Sequence, residues 1–180
     1  MDIAVKIVCS IRARSLQRRL FRTHLEEAEA EHTDLLLHID VRWLNRGRFL
    51  ERFRELLPEI KEFLKKFKDT EYAQLDDEQW LLDLAFLTDL TALLDELNLE
   101  LQGKEKNIVN MISSVNAFKR KLQLFSTKLH HHDLHYFKHK SSELELVLQR
   151  KSTAQFNTAR YIKQVQSLSS EFDKRFIDFA

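Results

Sequence analysis

The chain has 180 residues, of which 43% are hydrophobic, and its 29 Lys and Arg against 28 Asp and Glu leave a net charge of +1. That length predicts one domain or a piece of one, and the near-zero charge excludes a general attraction to nucleic acid or membrane. A single Cys excludes an internal disulfide and a cysteine zinc site, and no apolar run approaches the roughly 20 residues of a membrane span, so we expect an intracellular protein.

The low content of turn-forming residues predicts long helices. With only 2 Gly and 1 Pro, few tight turns are available, and the expected fold is an all-α, elongated helical bundle that forms a single helical domain over 1–180. Apolar residues at helical spacing predict one or two N-terminal helices over 1–34. Cys9 falls in their apolar stretch, which predicts a reduced thiol in the core. The arginines that follow, and the acidic run after them, predict a solvated face with local ion pairs.

A short extended segment, 35–44, holds the most informative residues of the chain. It places Arg42 beside Trp43, and Arg46 and Arg48 follow at the start of the next helix. Arginine beside an exposed aromatic ring is a combination that holds phosphate and stacks on a base. The alternative is a buried Trp that anchors a surface helix with solvated arginines, and the residues alone favour that alternative.

The next predicted helix spans 45–67. Asn45 is its expected N-cap. Pro58 falls inside the apolar stripe, where it removes a backbone donor and clashes with the preceding turn. It therefore predicts either a kink or the start of a second helix. The apolar stripe itself consists of Leu50, Phe53, Leu57, Ile60, Phe63 and Leu64.

A single long helix is predicted over 76–130, with Asp76 as its N-cap. Its apolar residues recur every seven positions and keep their phase through Gly103, where a turn would reset it. Gly103 is then a weak point that costs about 1 kcal/mol. The seam forms either a coiled coil with another chain or packing inside a bundle, and the second is commoner. Its main positions are Leu87, Leu94, Leu101, Ile108, Val115, Leu122 and Leu129, and its companions are Leu90, Leu97, Met111, Phe118 and Phe125.

The C-terminal helices are predicted over 137–180, after a turn rich in histidine. Histidines four residues apart on a helix allow metal chelation, but Asp133 is the one nearby carboxylate and histidine at a helix C-terminus is also favoured by the helix dipole. We therefore predict no metal site there. The histidines are His130, His131, His132, His135 and His139.

Acidic residues on the long helix present a candidate two-metal site. Such chemistry needs carboxylates that converge from a rigid scaffold, whereas Asp76 and Asp77 are capping residues and Asp83 and Asp89 are not on one face with them. No Gly-rich phosphate loop or nucleophile motif is present. The sequence therefore predicts neither an enzyme nor a cofactor site nor a small-molecule substrate.

Several blocks of the chain carry a family resemblance. The run 35–47, which contains LLLHIDVRWLNRG, resembles a hallmark of hAT-superfamily transposases of the Charlie type. It also resembles their domesticated copies in general transcription factor II-I repeat domain-containing proteins and BED-type zinc-finger proteins. Further blocks that fit, in the same order as in the family, are 11–16, 80–91 with 97–103, and 117–122.

The resemblance implies a catalytically inactive, transposase-derived fragment. In the family a helical domain is inserted into a ribonuclease H-like fold, and this chain resembles the part that runs into that insertion, without the catalytic Glu. It implies that Arg42 and Trp43 lie near DNA, where the Trp stacks on a flipped base, and that the protein is nuclear. The implied partners are DNA or other protein chains through the heptad seam. The rival prediction is a pure protein-interaction bundle.

Overall fold

The structure is a computed structural model that describes residues 1–36, 44–67, 72–102, 107–149 and 157–176. All regular structure in these ranges is helical, which confirms the all-α prediction, while insertion into a ribonuclease H-like host stays a prediction. The helices are α1 (Asp2–Arg12), α2 (Ser15–Glu27), α3 (Leu44–Glu55), α4 (Leu57–Phe67), α5 (Glu78–Leu101), α6 (Ile108–His130), α7 (Lys138–Gln149) and α8 (Ala159–Arg175), with a 3-10 turn at Ala73–Leu75.

The chain divides into two compact units where the sequence predicts a single domain. The first unit is Met1–Thr88 and the second is Asp89–Ala180. Their boundary falls inside α5. Within the described ranges, none of the helices combines the length and hydropathy needed to cross a membrane.

The core of the first unit begins with the apolar face of α1. Ala4, Ile7, Val8 and Ile11 are buried at the spacing of one helix face. The prediction that Cys9 packs in this core is wrong, because the thiol is exposed. Residue 9 lies about 100° around the helix from residue 8, which carries it off the buried face.

Two helices, α3 and α4, cover the predicted range 45–67, so of the two alternatives for Pro58 the start of a second helix is the one that occurs. The helix is interrupted at Leu56, and Pro58 is the second residue of α4, where a missing backbone donor costs little. α3 begins at Leu44, so Asn45 lies inside its first turn rather than before it. The predicted stripe is buried except for Leu57, which is half-buried; its buried members are Leu50, Phe53, Ile60, Phe63 and Leu64.

The N-cap of α5 is Asp77, one residue later than predicted. An Asp77 carboxylate oxygen accepts a hydrogen bond from the Gln79 amide at 2.9 Å. Asp76 instead receives the Lys61 ammonium on one carboxylate oxygen, also at 2.9 Å. Either carboxylate could accept hydrogen bonds at a helix start. In the structure it is Asp77, the residue directly before α5, that faces the free amides of the first turn.

The prediction of one continuous helix over 76–130 is wrong. α5 ends at Leu101 and α6 begins at Ile108. Asn107 has an extended backbone, φ −83° and ψ 165°, and its side-chain oxygen accepts a hydrogen bond from the Asn110 amide at 2.8 Å. Gly103 lies outside the described residues. A local N-cap therefore ends the continuity that the heptad phase suggested.

We expect Asn107→Ala to lower the free energy of unfolding by about 1 kcal/mol, because it removes the N-cap acceptor of α6. A continuous helix predicts the opposite sign, since Ala is a better helix former than Asn. Urea denaturation of the two proteins decides between them. Asn110→Ala is the matched control, because residue 110 keeps its backbone amide and contributes no cap; a gain of stability in Asn107→Ala would contradict the break.

The second unit is organised by α6 packed against α8. Lys119 contacts Asp173 at 2.6 Å and Ser126 contacts Gln166 at 3.4 Å, so the two helices run antiparallel. The rings of Phe118 and Phe172 are 5.2 Å apart. Most of the heptad positions in α6 are buried: Val115, Phe118, Leu122, Phe125 and Leu129. In this part of the chain the seam serves packing inside the bundle.

Candidate nucleic-acid interface

The predicted interface residues are distributed between described and undescribed parts of the chain. Arg42 and Trp43 lie outside the described residues. Arg48 is exposed on α3, whereas Arg46 is half-buried and already has an interaction partner. Two residues correspond to about 200° around a helix, so Arg46 and Arg48 point to different sides of α3. Of the two that the structure describes, Arg48 is the one whose exposure suits a phosphate contact.

A salt bridge holds the beginning of the segment that leads to Arg42 and Trp43. The Arg18 guanidinium on α2 places Nε at 2.8 Å and Nη2 at 2.5 Å from the same Asp34 oxygen. The second Asp34 oxygen accepts the Leu35 amide at 2.9 Å. The Asp34 side chain is 19% exposed. A charge-assisted bond of this kind is stronger than a neutral one, so the backbone at 34–35 is fixed.

Two more arginines hold the backbone at the same place. Arg12 of α1 donates to the Leu35 carbonyl at 2.6 Å, and Arg52 of α3 donates to the Asp34 carbonyl at 3.3 Å. We call Arg12, Arg18 and Arg52 the arginine clamp. It joins residues 34–35 to three helices at once.

The clamp is reinforced beside Asp34 by a further pair. His32 Nε2 lies 2.7 Å from a Glu55 oxygen at the end of α3, and Arg52 Nε lies 3.7 Å from the same oxygen. Residues 32–35 are therefore tied to α1, α2 and α3. A rigid scaffold of this kind is where proteins commonly carry binding residues.

The clamp was missed by the sequence analysis. The prediction of local ion pairs rested on neighbours three or four residues apart on one helix, but Asp34 pairs with Arg18 across 16 positions. The available signal was an isolated Asp directly before an apolar run. Nothing in the spacing of the chain indicates which arginine would reach it.

The carboxylates on α5 do not form a metal site in the described structure. Asp83 accepts a hydrogen bond from the Gln79 side chain at 3.0 Å on the same helix. Asp89 is buried and accepts the backbone amide of His139 at 2.9 Å. Asp89 therefore caps the first turn of α7, where negative charge is favoured. Each has a local or structural role that explains its position.

The histidine-rich turn after α6 is organised by an ion pair. The Lys128 ammonium contacts Asp133 at 2.8 Å, and the other Asp133 oxygen accepts the His135 amide at 3.0 Å. Hydrogen bonding to Asp133 raises the pKa of Lys128, and the hydrogen bond from Lys128 lowers the pKa of Asp133. The one carboxylate near these histidines is thus occupied, and no cluster of three metal-ligating side chains occurs in the described ranges.

Comparison with known proteins gives consistent matches. Residues 1–130 match the model of the FAM200/GTF2IRD2 helical domain. The chain is similar to general transcription factor II-I repeat domain-containing protein 2 of Bos taurus, at 34% identity over 179 residues, and to that of Mus musculus, at 35%. These alignments cover 99% of this chain and 18% of each relative, so the chain spans about a fifth of their length. No solved structure matches the chain.

Proposed function

Because the chain belongs to the FAM200/GTF2IRD2 helical domain family, we propose that it is a non-catalytic, transposase-derived module that associates with DNA. The proposed contact residues are Arg42, Trp43 and Arg48, with Trp43 stacking on an unpaired base and the two arginines holding phosphate. Arg46, the fourth predicted residue, is half-buried and already has an interaction within the protein. The derivation from an hAT transposase of the Charlie type belongs to the same proposal, as does a nuclear location, which the names of the relatives support.

The arginine clamp is the observation that carries this proposal. Arg12 and Arg52 hold the backbone carbonyls of Leu35 and Asp34, and Arg18 holds the Asp34 carboxylate. These residues precede Arg42 and Trp43 in the chain. Fixing the backbone beside a binding segment lowers the entropy that the segment loses on binding a ligand. A solvated connection between helices needs no such support. The clamp arginines themselves are used internally, which leaves Arg48 as the described member of the set that is exposed.

The absence of catalysis is supported by the roles of the α5 carboxylates. Two-metal phosphoryl chemistry needs acidic side chains that converge on one place. Asp77 caps α5, Asp83 pairs along its own helix and Asp89 caps α7. The relatives bear the name of a transcription factor repeat protein, which agrees with a binding role rather than an enzymatic one.

A protein-interaction role is the second candidate, and an apolar cleft in the second unit favours it. The cleft has a volume of about 120 Å³ and lies between the end of α5 and the first turns of α6. Beside it Ile108 and Val109 are 58% and 64% exposed. Exposed apolar patches of this kind mark binding surfaces. The residues that line the cleft are Leu101, Ile108, Met111, Ile112, Val115, Asn116 and Phe176.

We expect Trp43→Ala to weaken binding to a DNA hairpin with unpaired bases by about 10-fold, within the range for loss of one stacked base. The melting temperature of Trp43→Ala should fall by less than that of a variant in which a core residue is truncated to Ala. Fluorescence anisotropy gives the hairpin affinity and circular dichroism gives the melting temperature. Trp80→Ala is the matched control, because it removes the other indole, which packs against the core of the first unit.

The outcomes separate the two candidate functions. If Trp43→Ala destabilises the fold by about 3–5 kcal/mol, the scale of a buried aromatic, the Trp is an anchor and its DNA role is removed. A wild-type chain that never binds the hairpin at low salt contradicts DNA association. If that same chain forms dimers in light scattering, the interaction role replaces it.

A further inference from the structure

We propose that the exposed arginines on α2 and at the residue directly before it form a second contact surface, which binds the phosphate backbone of duplex DNA. We call this surface the α2 arginine face; it consists of Arg14, Arg19 and Arg22. The inference rests on the proposed DNA association and extends it to residues outside the Arg-Trp segment. It also differs in chemistry, because it needs no unpaired base.

Charge is strongly segregated in this part of the chain. Between Asp2 and Glu26 there is no acidic residue, while the six basic ones are Lys6, Arg12, Arg14, Arg18, Arg19 and Arg22. The whole chain carries only +1, so the excess is local to α1 and α2. A local excess of one sign produces the potential that attracts a polyanion.

The structure separates these arginines into two groups. Arg12 and Arg18 belong to the clamp and are bonded to Leu35 and Asp34. The three members of the α2 arginine face are exposed, and the described residues give none of them an ion pair. Their exposure fits the sequence prediction of a solvated face, whereas the local ion pairs that it also predicts are not among the salt bridges of the described residues.

The clamp also places the α2 arginine face beside Asp34, which precedes the Arg-Trp segment in the chain. Arg18 lies four residues before Arg22 and four after Arg14, so it is a surface neighbour of both along α2. Arg18 is the residue that contacts Asp34. A DNA backbone that follows the face would therefore pass beside Asp34.

Repulsion between the arginines and the length of the α2 arginine face both favour a DNA strand as the ligand. Residues three apart on a helix are surface neighbours, so the like charges of Arg19 and Arg22 are mutually unfavourable. The face runs about 12 Å along the helix axis at 1.5 Å per residue. One DNA strand carries a phosphate about every 3.4 Å of its axis, so three or four phosphates match that length. Bound phosphates would relieve the repulsion between the arginines.

The test measures duplex affinity against salt concentration for a triple variant, Arg14→Gln, Arg19→Gln and Arg22→Gln. A blunt duplex without unpaired bases is the probe, followed by fluorescence anisotropy. Losing three phosphate contacts should reduce the slope of log K against log salt by about 2.7 and the affinity at 0.1 M salt by about 100-fold. The melting temperature should stay near that of the wild type, because all three side chains are exposed.

A second triple variant is the matched control. Lys65→Gln, Lys121→Gln and Lys163→Gln removes the same three charges from exposed positions on α4, α6 and α8. It should leave the slope almost unchanged. If both triple variants lose affinity equally, binding reflects net charge alone and the α2 arginine face is overturned.

Two further measurements separate the α2 arginine face from the proposed role of Trp43 and from binding to anionic membranes. If Trp43→Ala keeps duplex affinity while the α2 variant loses it, the face stands even where the stacking proposal fails on the hairpin. If the α2 variant binds duplex normally and Trp43→Ala loses the hairpin, the face is overturned and the Arg-Trp proposal stands. Loss of binding to phosphatidylserine vesicles, with duplex binding intact, would assign the face to a membrane and overturn it.

Discussion

Phe63→Ala should lower the free energy of unfolding by about 3–5 kcal/mol, the range for truncating a buried Phe. Phe63 is fully buried in the first unit. Its ring meets Phe21 edge-on at 5.0 Å and lies 4.9 Å from Phe67 and 5.9 Å from His24. The substitution removes all three ring contacts and leaves a cavity where α2 and α4 pack together.

Urea denaturation followed by circular dichroism measures this loss. Phe67→Ala is the control, because Phe67 contacts the same ring of Phe63 but is 37% exposed. We expect that control to cost about 1 kcal/mol, since less apolar area leaves water. Equal losses in the two variants would contradict the packing of this cluster. A domain of ordinary stability has about 5–15 kcal/mol in total, so Phe63→Ala would also reduce DNA binding through unfolding.

The buried positions of the helices were largely predictable, because burial on a helix follows its period. The stripe through Leu50, Phe53 and Phe63 was read from spacing alone and is buried. The ends of helices were not predictable in the same way. The heptad phase runs through Asn107, but phase records which side of a helix is apolar and does not record the backbone angle of one residue. The extended backbone and capping side chain of Asn107 start a new helix, α6, at the next residue.

The residue types of the candidate interface were predictable from the sequence, but the arginine clamp beside it was not. Arginine beside Trp is visible in the sequence, and Arg48 is exposed as a phosphate contact requires. The clamp depends on which side chains lie near Asp34 in the folded protein. Arg18 precedes Asp34 in the sequence by 16 residues and Arg52 follows it by 18, and both contact it. Contacts of this kind are set by packing of α1, α2 and α3, and their residue types alone indicate only solvated charge.

Asp89→Ala should lower the free energy of unfolding by about 2 kcal/mol, the upper end for loss of a helix cap. Asp89 is 5% exposed, and its carboxylate accepts the His139 amide in the first turn of α7. Removing the acceptor leaves that amide without its partner, and an unsatisfied buried donor carries a desolvation cost. Asp89→Asn keeps an oxygen acceptor and should cost less than half as much.

Asp83→Ala is the control for Asp89→Ala. Both are acids on α5, and both were candidates for a two-metal site, but Asp83 is half-buried and accepts a hydrogen bond from Gln79 on the same helix. We expect Asp83→Ala to change the free energy of unfolding by less than about 0.5 kcal/mol, as surface substitutions usually do.

The measurement is urea denaturation of the three variants, paired with a Mg²⁺-dependent DNA cleavage assay on each and on the wild type. Cleavage by the wild type that is lost in Asp89→Asn, with the fold intact, would make Asp89 a metal ligand and overturn the non-catalytic proposal. A stability loss in Asp89→Ala alone, without cleavage in any of the four proteins, would establish the buried carboxylate as the cap of α7.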